Sequence, residues 1–379
     1  MSVNLGHKQY IVRLKDGVPS GEHFTRLGQL ESPPAFTVVH TFAPDFLNAY
    51  VATFSDTHLP IFQSHGDLLR VEEDTGNTMD AVIDEGTVSW ELARINRADP
   101  VSSTDTKYLC TKTFSKQGKT STFISLIRES NWTTPSLGAE PGRLTSTTVV
   151  CRAIPKVMEP MLPASLAELH TELQRHAATL YEVKVLNDSD DTPKLQCMRG
   201  MEWLATHAKF PAVANMSFSG EYNKSENEAV EALINLGIHV VVTAGNNSEE
   251  ASKYSPASTE AAITVGLTNK SDEMGIRSNY GKAVDVFAPG AAIISCGIAS
   301  TTDTATKWGT SQAAPFVAGI IATLISLDQA KTLRLDADRT EICAKMKVLI
   351  NELSIKNVLS KLGTWNPAEG IQVLGGLFS

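Results

Sequence analysis

Short apolar runs alternate with amphipathic stretches through the C-terminal half of the chain. Tyr181–Leu186, Val213–Phe218 and Ile238–Val242 are runs of strand length that end in Asn, Ser or Thr-Ala-Gly. Their length and bounding residues predict strands buried in a sheet. Between them, Gly200–His207 and Ser225–Leu236 repeat apolar positions three and four apart. That is the period of a helix with one buried face. A further helix is expected from Ser311, where small residues open an apolar run through Ile320, Ile321 and Leu324. Strands and helices in alternation predict an α/β fold: a doubly wound, mostly parallel sheet whose site lies at the strands' C-terminal ends.

The first 80 residues carry a different pattern. Gln9–Gly17 alternates as a strand into a turn. Phe46–Phe54 and Leu68–Asp74 supply further strands around helical stretches. This predicts a small α+β unit over residues 1–80, ahead of a larger body over 81–379. Within the body, residues 111–178 break the rhythm. Thr133-Thr134-Pro135-Ser136 and Thr145-Ser146-Thr147-Thr148 are typical of the interval, which by composition is a long loop. A loop of that length is out of place inside a compact domain.

Composition narrows the function classes. The chain has 379 residues, room for more than one domain, and a formal net charge of −9. That acidic balance, with no basic patch, argues against nucleic-acid binding. No stretch is apolar enough to span a membrane, and Met1–Gly6 is too short and polar for a secretory signal. Cys110, Cys151, Cys197, Cys296 and Cys343 are scattered, without metal-ligand spacing or a disulfide framework.

Candidate chemistry centres on Gly309-Thr310-Ser311-Gln312-Ala313-Ala314-Pro315. A serine at the first turn of a buried helix sits among unpaired backbone N–H groups at the dipole's positive end, where developing negative charge is favoured. The Ile238–Val242 strand runs through Thr243-Ala244-Gly245 into Asn246, which can aim a side-chain amide at an oxyanion. Taken alone, Gly245-Asn246-Asn247 is as well explained by a turn. It is followed by Tyr254-Ser255-Pro256-Ala257-Ser258, Ile263-Thr264-Val265-Gly266, Ser278-Asn279-Tyr280-Gly281 and Val286-Phe287-Ala288-Pro289-Gly290. In this order and spacing, the segments resemble the subtilisin-like serine proteases, specifically the proteinase-K-like branch.

The resemblance implies roles. Ser311 would be the nucleophile and Asn246 the oxyanion-hole asparagine. Ser217-Phe218-Ser219-Gly220 and Thr243-Ala244-Gly245 would line the pocket for the substrate residue before the scissile bond. No cofactor is required. A structural calcium would use the Asp285 carboxylate and the carbonyls of Glu260 and Ala262, hard oxygens suited to that ion. Residues 1–80 would be an inhibitory propeptide, with mature sequence from about Val88–Ile95 and self-cleavage somewhere within roughly the ten residues before Val88. Such a protein would be an extracellular monomer whose partners are polypeptide substrates and its own propeptide. Gln312 stands where the family usually has Met.

The family's Asp-Thr-Gly and His-Gly-Thr-His motifs, which carry the other two triad members, do not occur between the mature N-terminus and Val183. His170, His176, His207 and His239 lack family-like neighbours, and Asp188, Asp190 and Asp191 read as a solvated turn. The genetic code offers an account of the gap. When each codon's third base is joined to the next codon's first two, Ser125–Glu129 can encode Ser-Asp-Thr-Gly. In the same frame, Lys156–Met161 can encode Gly-His-Gly-Thr-His. Residues 111–178 are therefore read as an out-of-frame translation of the active-site region. Two readings follow: a serine endopeptidase by lineage, and, for the chain as written, an inactive relative that binds peptide or inhibits.

Overall fold

The computed structural model describes residues 7–30, 32–78, 82–84, 122–127, 149–152, 179–186, 192–296, 304–326, 339–362 and 372–373. The N-terminal unit comprises β1 (His7–Leu14), α1 (Ser20–Gly28), β2 (Phe36–Thr41), β3 (Ala49–Ser55), α2 (Leu59–Ser64) and β4 (Leu68–Glu73). Its antiparallel sheet has the order β2-β3-β1-β4. Alternation along β1 separates two buried faces. Tyr10, Val12 and Leu14 join Leu27, Phe54 and Phe62 in the unit's own core. Ile11 belongs instead to the core that contains the body's helices, with Val51, Phe42 and Leu47. A sheet covered on both faces accounts for the nearly unbroken apolar run in β3. β3 starts at Ala49, later than Phe46, because Phe46 and Leu47 turn back to donate to the Ala43 carbonyl.

The chain continues through β5 (Gly76–Thr78) into the body, with β6 (Val82–Asp84), β7 (Thr122–Ile127), β8 (Val149–Arg152), β9 (Thr179–Lys184) and β10 (Thr192–Pro193). Next come α3 (Lys194–His207), β11 (Ala212–Met216), β12 (Ser219–Glu221), α4 (Lys224–Asn235) and β13 (Ile238–Thr243). Beyond these lie β14 (Tyr254–Ser255), β15 (Ile263–Thr268), β16 (Val286–Pro289), β17 (Ile293–Cys296) and β18 (Thr304–Trp308). α5 (Thr310–Ser326), α6 (Arg339–Leu353), β19 (Ile355–Lys356) and β20 (Gln372–Val373) complete the described elements. The main sheet runs β19-β20-β16-β15-β13-β11-β7-β9-β8, parallel from β20 to β9. Only the outer pairs, β8 with β9 and β19 with β20, are antiparallel.

Two cores fill the space beside this sheet. Leu195, Met198, Met201 and Leu204 of α3 cluster with Ala229, Val230 and Leu233 of α4. A second cluster joins α5, through Ala314, Val317, Ala318 and Ile321, to Val241, Val265 and Val286 of the strands and to Met346 and Ile350 of α6. α3 starts six residues before the apolar period at Gly200 suggests, because Lys194 conceals its first buried turn. Between residues 111 and 178 the expected loop gives way in two places, to β7 and β8. β7 pairs in parallel with β11 and β9, with Leu126 opposite Met216, so it occupies a central position. Six residues with four apolar side chains suffice for that place, although their Ser- and Thr-rich flanks mask the signal. Val88–Ile95, His170, His176, Asp188, Asp190 and Asp191 lie outside the described residues.

Candidate active site

Ser311 stands in the first turn of α5, buried, and its hydroxyl donates to the Ser217 carbonyl at 3.2 Å. The link is reciprocal: the Ser217 hydroxyl donates to the Ser311 carbonyl at 2.9 Å and accepts from Asn215 Nδ2 at 3.0 Å. The end of β11 is thereby clamped to the start of α5. Among the described residues, the Ser217 carbonyl is the only hydrogen-bond partner of the Ser311 hydroxyl.

Asn246 follows β13 and reaches the same helix start. Its Oδ1 accepts from the Thr310 N–H at 2.9 Å and from the Thr310 hydroxyl at 3.1 Å. Thr310 Oγ1 also contacts the Thr243 hydroxyl and accepts from Gly245 N–H at 3.2 Å. These bonds fix the amide's orientation: its acceptor end satisfies a helix-terminal N–H, which makes Nδ2 the donor end. Gly245 needs its glycine, having φ of +98° and the Asn279 amide where a Cβ would stand. The same Cβ would lie 3.0 Å from Ser219 Oγ, so the two segments proposed to line a pocket do adjoin. Phe218 and Ala244 turn their side chains into the interior and Thr243 spends its hydroxyl on Thr310. These three would meet a ligand through their backbone.

An extended segment already lies along this wall. β5 pairs antiparallel with β12, Thr78 opposite Ser219 and Asn77 opposite Gly220, and with β10 on its other side. Beneath it, the Lys194 ammonium donates to Asn77 Oδ1 at 2.7 Å and to Glu226 Oε2 at 2.9 Å, while Asn77 Nδ2 donates to Glu226 Oε1. Lys194 and Glu226 are both fully buried. Sequence reasoning missed this triad, because a Lys at a helix start and a Glu in a first turn read as solvated.

The N-terminal unit is fastened nearby by charge. Glu72 accepts the backbone N–H groups of Lys224 and Ser225, capping α4, and Glu228 accepts from Arg13 and Arg70. Burial would raise the Glu228 carboxyl, but the two arginines outweigh it and hold it below the usual range.

Residues 171–350 match the Subtilase family. The chain carries a subtilase domain. Its relatives include the subtilisin-like serine protease Pen ch 18 of Penicillium rubens, 42% identical over 164 residues, covering 41% of this chain and 33% of that protein. The cuticle-degrading protease of Metarhizium anisopliae is 37% identical over 188 residues, 48% of this chain and 45% of its own. The chain thus spans less than half the length of these curated relatives. A cold adapted subtilisin-like serine proteinase shares the fold, with a TM-score of 0.56 at 22% identity over 77% of this chain and 99% of that one. The subtilase domain therefore has the α/β architecture that the strand and helix pattern predicts.

Two histidines can be placed against this site. His207 is on α3, stacked on Trp203 at 4.4 Å between ring centroids. His239 lies inside β13, where burial holds its pKa down at about 4. Neither hydrogen-bonds to Ser311. The three oxygens assigned to calcium do converge, and at their centre is the Lys347 ammonium, 2.6 Å from the Glu260 and Ala262 carbonyls and 2.9 Å from Asp285 Oδ1.

Proposed function

We propose that this subtilase domain belongs by lineage to a serine endopeptidase made as a proenzyme, and that the chain as written binds extended polypeptide without hydrolysing it. The observation that carries this reading is β5, an extended segment held antiparallel between β12 and β10. Strand addition of this kind supplies backbone affinity that does not depend on sequence. The segment belongs to the chain's own N-terminal region and comes directly after β4, which suits an inhibitory propeptide lying across a cleft. The wall that receives β5 continues into Ser217, whose carbonyl holds the Ser311 hydroxyl.

In the endopeptidase lineage, Ser311 Oγ would attack the scissile carbonyl, and Asn246 Nδ2 would donate to the oxyanion, a contribution worth about 3–4 kcal/mol. Attack also needs a base to accept the hydroxyl proton and a carboxylate to orient that base. The shifted frame would put its Asp at the junction of Leu126 and Ile127, the C-terminal end of β7. That strand lies next to β11 on the site's edge of the sheet. This placement supports the view that residues 111–178 stand in for a catalytic segment. Without both partners, useful turnover is lost. We assign no cofactor to the reaction, polypeptide as the ligand class, and an extracellular, monomeric protein.

The test is fluorophosphonate labelling of the full chain, with mass analysis of its N-terminus. The expected result is no label at Ser311 and an intact N-terminal unit. The same chain with residues 111–178 in the shifted frame should label at Ser311 and shed that unit. Labelling of the chain as written would contradict the inactive reading, and failure of the restored chain would contradict the lineage.

A further inference from the structure

We infer that Lys347 is the resident cation of the oxygen cluster formed by Glu260, Ala262 and Asp285, so that this chain carries its own ammonium where a metal ion would otherwise be held. An ammonium has three N–H donors and accepts nothing. Here it has three oxygens in reach: two carbonyls at 2.6 Å and Asp285 Oδ1 at 2.9 Å. The donor set is complete. The other carboxylate oxygen is also engaged, since Asp285 Oδ2 accepts the Thr264 N–H at 2.8 Å. Calcium takes six to eight oxygens at about 2.3–2.6 Å. The three protein oxygens supply only part of that shell, the rest of which would be water, and the point they surround is filled by Nζ. The residues present do not fit the ion.

The tether also explains why the lysine sits on α6. Met346, its neighbour in sequence, and Ile350 are fully buried in the core shared with α5. The stem of Lys347 leaves that anchored helix and reaches the turn ahead of β15 and the residue ahead of β16. One charge thus joins a helix to the entries of two adjacent parallel strands. A lysine head carried on an apolar stem is an ordinary way to neutralise half-buried oxygens. The carbonyls of Glu260 and Ala262 both accept from the ammonium, which offsets their partial negative charge.

The experiment uses the full chain and calcium itself as probe. Thermal midpoints are compared in millimolar calcium chloride and in chelator, for the wild type and for Lys347→Met, which keeps the stem and removes the charge. The wild type should melt at one midpoint in both. Lys347→Met should melt several degrees lower in chelator, and calcium should recover part of that loss. A calcium-dependent wild-type midpoint would overturn the proposal, as would a Lys347→Met variant that melts like the wild type.

A second measurement holds even if that variant fails to fold. Native wild-type chain is acetylated with an amine reagent and labelling is read residue by residue. Lys347 should label many-fold more slowly than Lys345, which is on the same helix with its side chain 45% exposed. Its rate should be the same with and without calcium. Equal labelling of the two lysines, or exposure of Lys347 by calcium, would overturn the assignment.

Discussion

Gly220 and Asn77 face each other across an antiparallel pair with no space for a side chain between them. A Cβ on Gly220 would collide with the Asn77 amide oxygen and lie 2.6 Å from the Gly76 carbonyl. The backbone carbonyl cannot yield as a flexible side chain would. Gly220→Ala should therefore displace β5 from the wall. Hydrogen exchange at residues 76–78 and 219–221 should rise together, while exchange in β15 stays as it was. Unchanged protection at β5 would contradict this register.

The buried pair beneath β5 gives a second expectation. Removing one partner strands the other's charge in the interior, at a cost of about 3–5 kcal/mol, whereas replacing both by apolar residues is often close to neutral. Glu226→Gln should lower the denaturation midpoint strongly. Lys194→Met combined with Glu226→Leu should recover most of the loss, despite removing more polar contacts. Chemical denaturation of the three proteins decides it.

Asn246 has a structural task besides its proposed catalytic one. Asn246→Leu would leave the Thr310 N–H without its acceptor inside the protein, at about 1–3 kcal/mol. Asn246→Asp keeps an acceptor at that position and should lose less. Equal stability of Asn246→Leu and wild type would show that the amide is not holding the start of α5.

Asp74 provides the pH dependence. It accepts from the Leu195 N–H at 3.3 Å and from Gln9. Burial pushes its pKa up from 3.8 to about 6, against the opposing bonds from Gln9, Leu195 and Lys194. A carboxyl raised on folding contributes stability that is fully present below its unfolded value and is lost as pH rises through the folded one. Asp74→Asn should thus gain on wild type across that window, with the smallest difference near pH 4 and the largest above about pH 7. Melting midpoints of both proteins across that range provide the check. A constant difference would remove Asp74 as the source.

Much of the architecture was legible because periodicity reports burial. Ile238–Val242, Val213–Phe218 and Ser225–Leu236 correspond to β13, β11 and α4 with shifts of a residue or two. Ser311 and Asn246 were legible through local chemistry, a serine opening an apolar helix and an amide ending a strand. Lys194, Glu226 and Lys347 were not. Their side chains are charged, and charged residues on helices are usually solvated. Only a partner distant in sequence makes them interior, as Asn77 does for Lys194 and Asp285 does for Lys347.

β7 marks the same boundary from the other side. Its six residues carry too little pattern to be told from the Ser- and Thr-rich chain around them, yet they pair between β9 and β11. The sequence by itself determined the strands β9, β11 and β13 and the helical character of α3, α4 and α5, and that a serine and an asparagine flank them. Those properties depend on side-chain period and on neighbours a few residues away. Tertiary structure decided that Asn246 orients through Thr310, that β5 lies against β12, and that an ammonium sits among the Asp285 oxygens. Each of those is a contact between residues 60 or more apart in the chain, and its energy depends on distance and desolvation that no local pattern encodes.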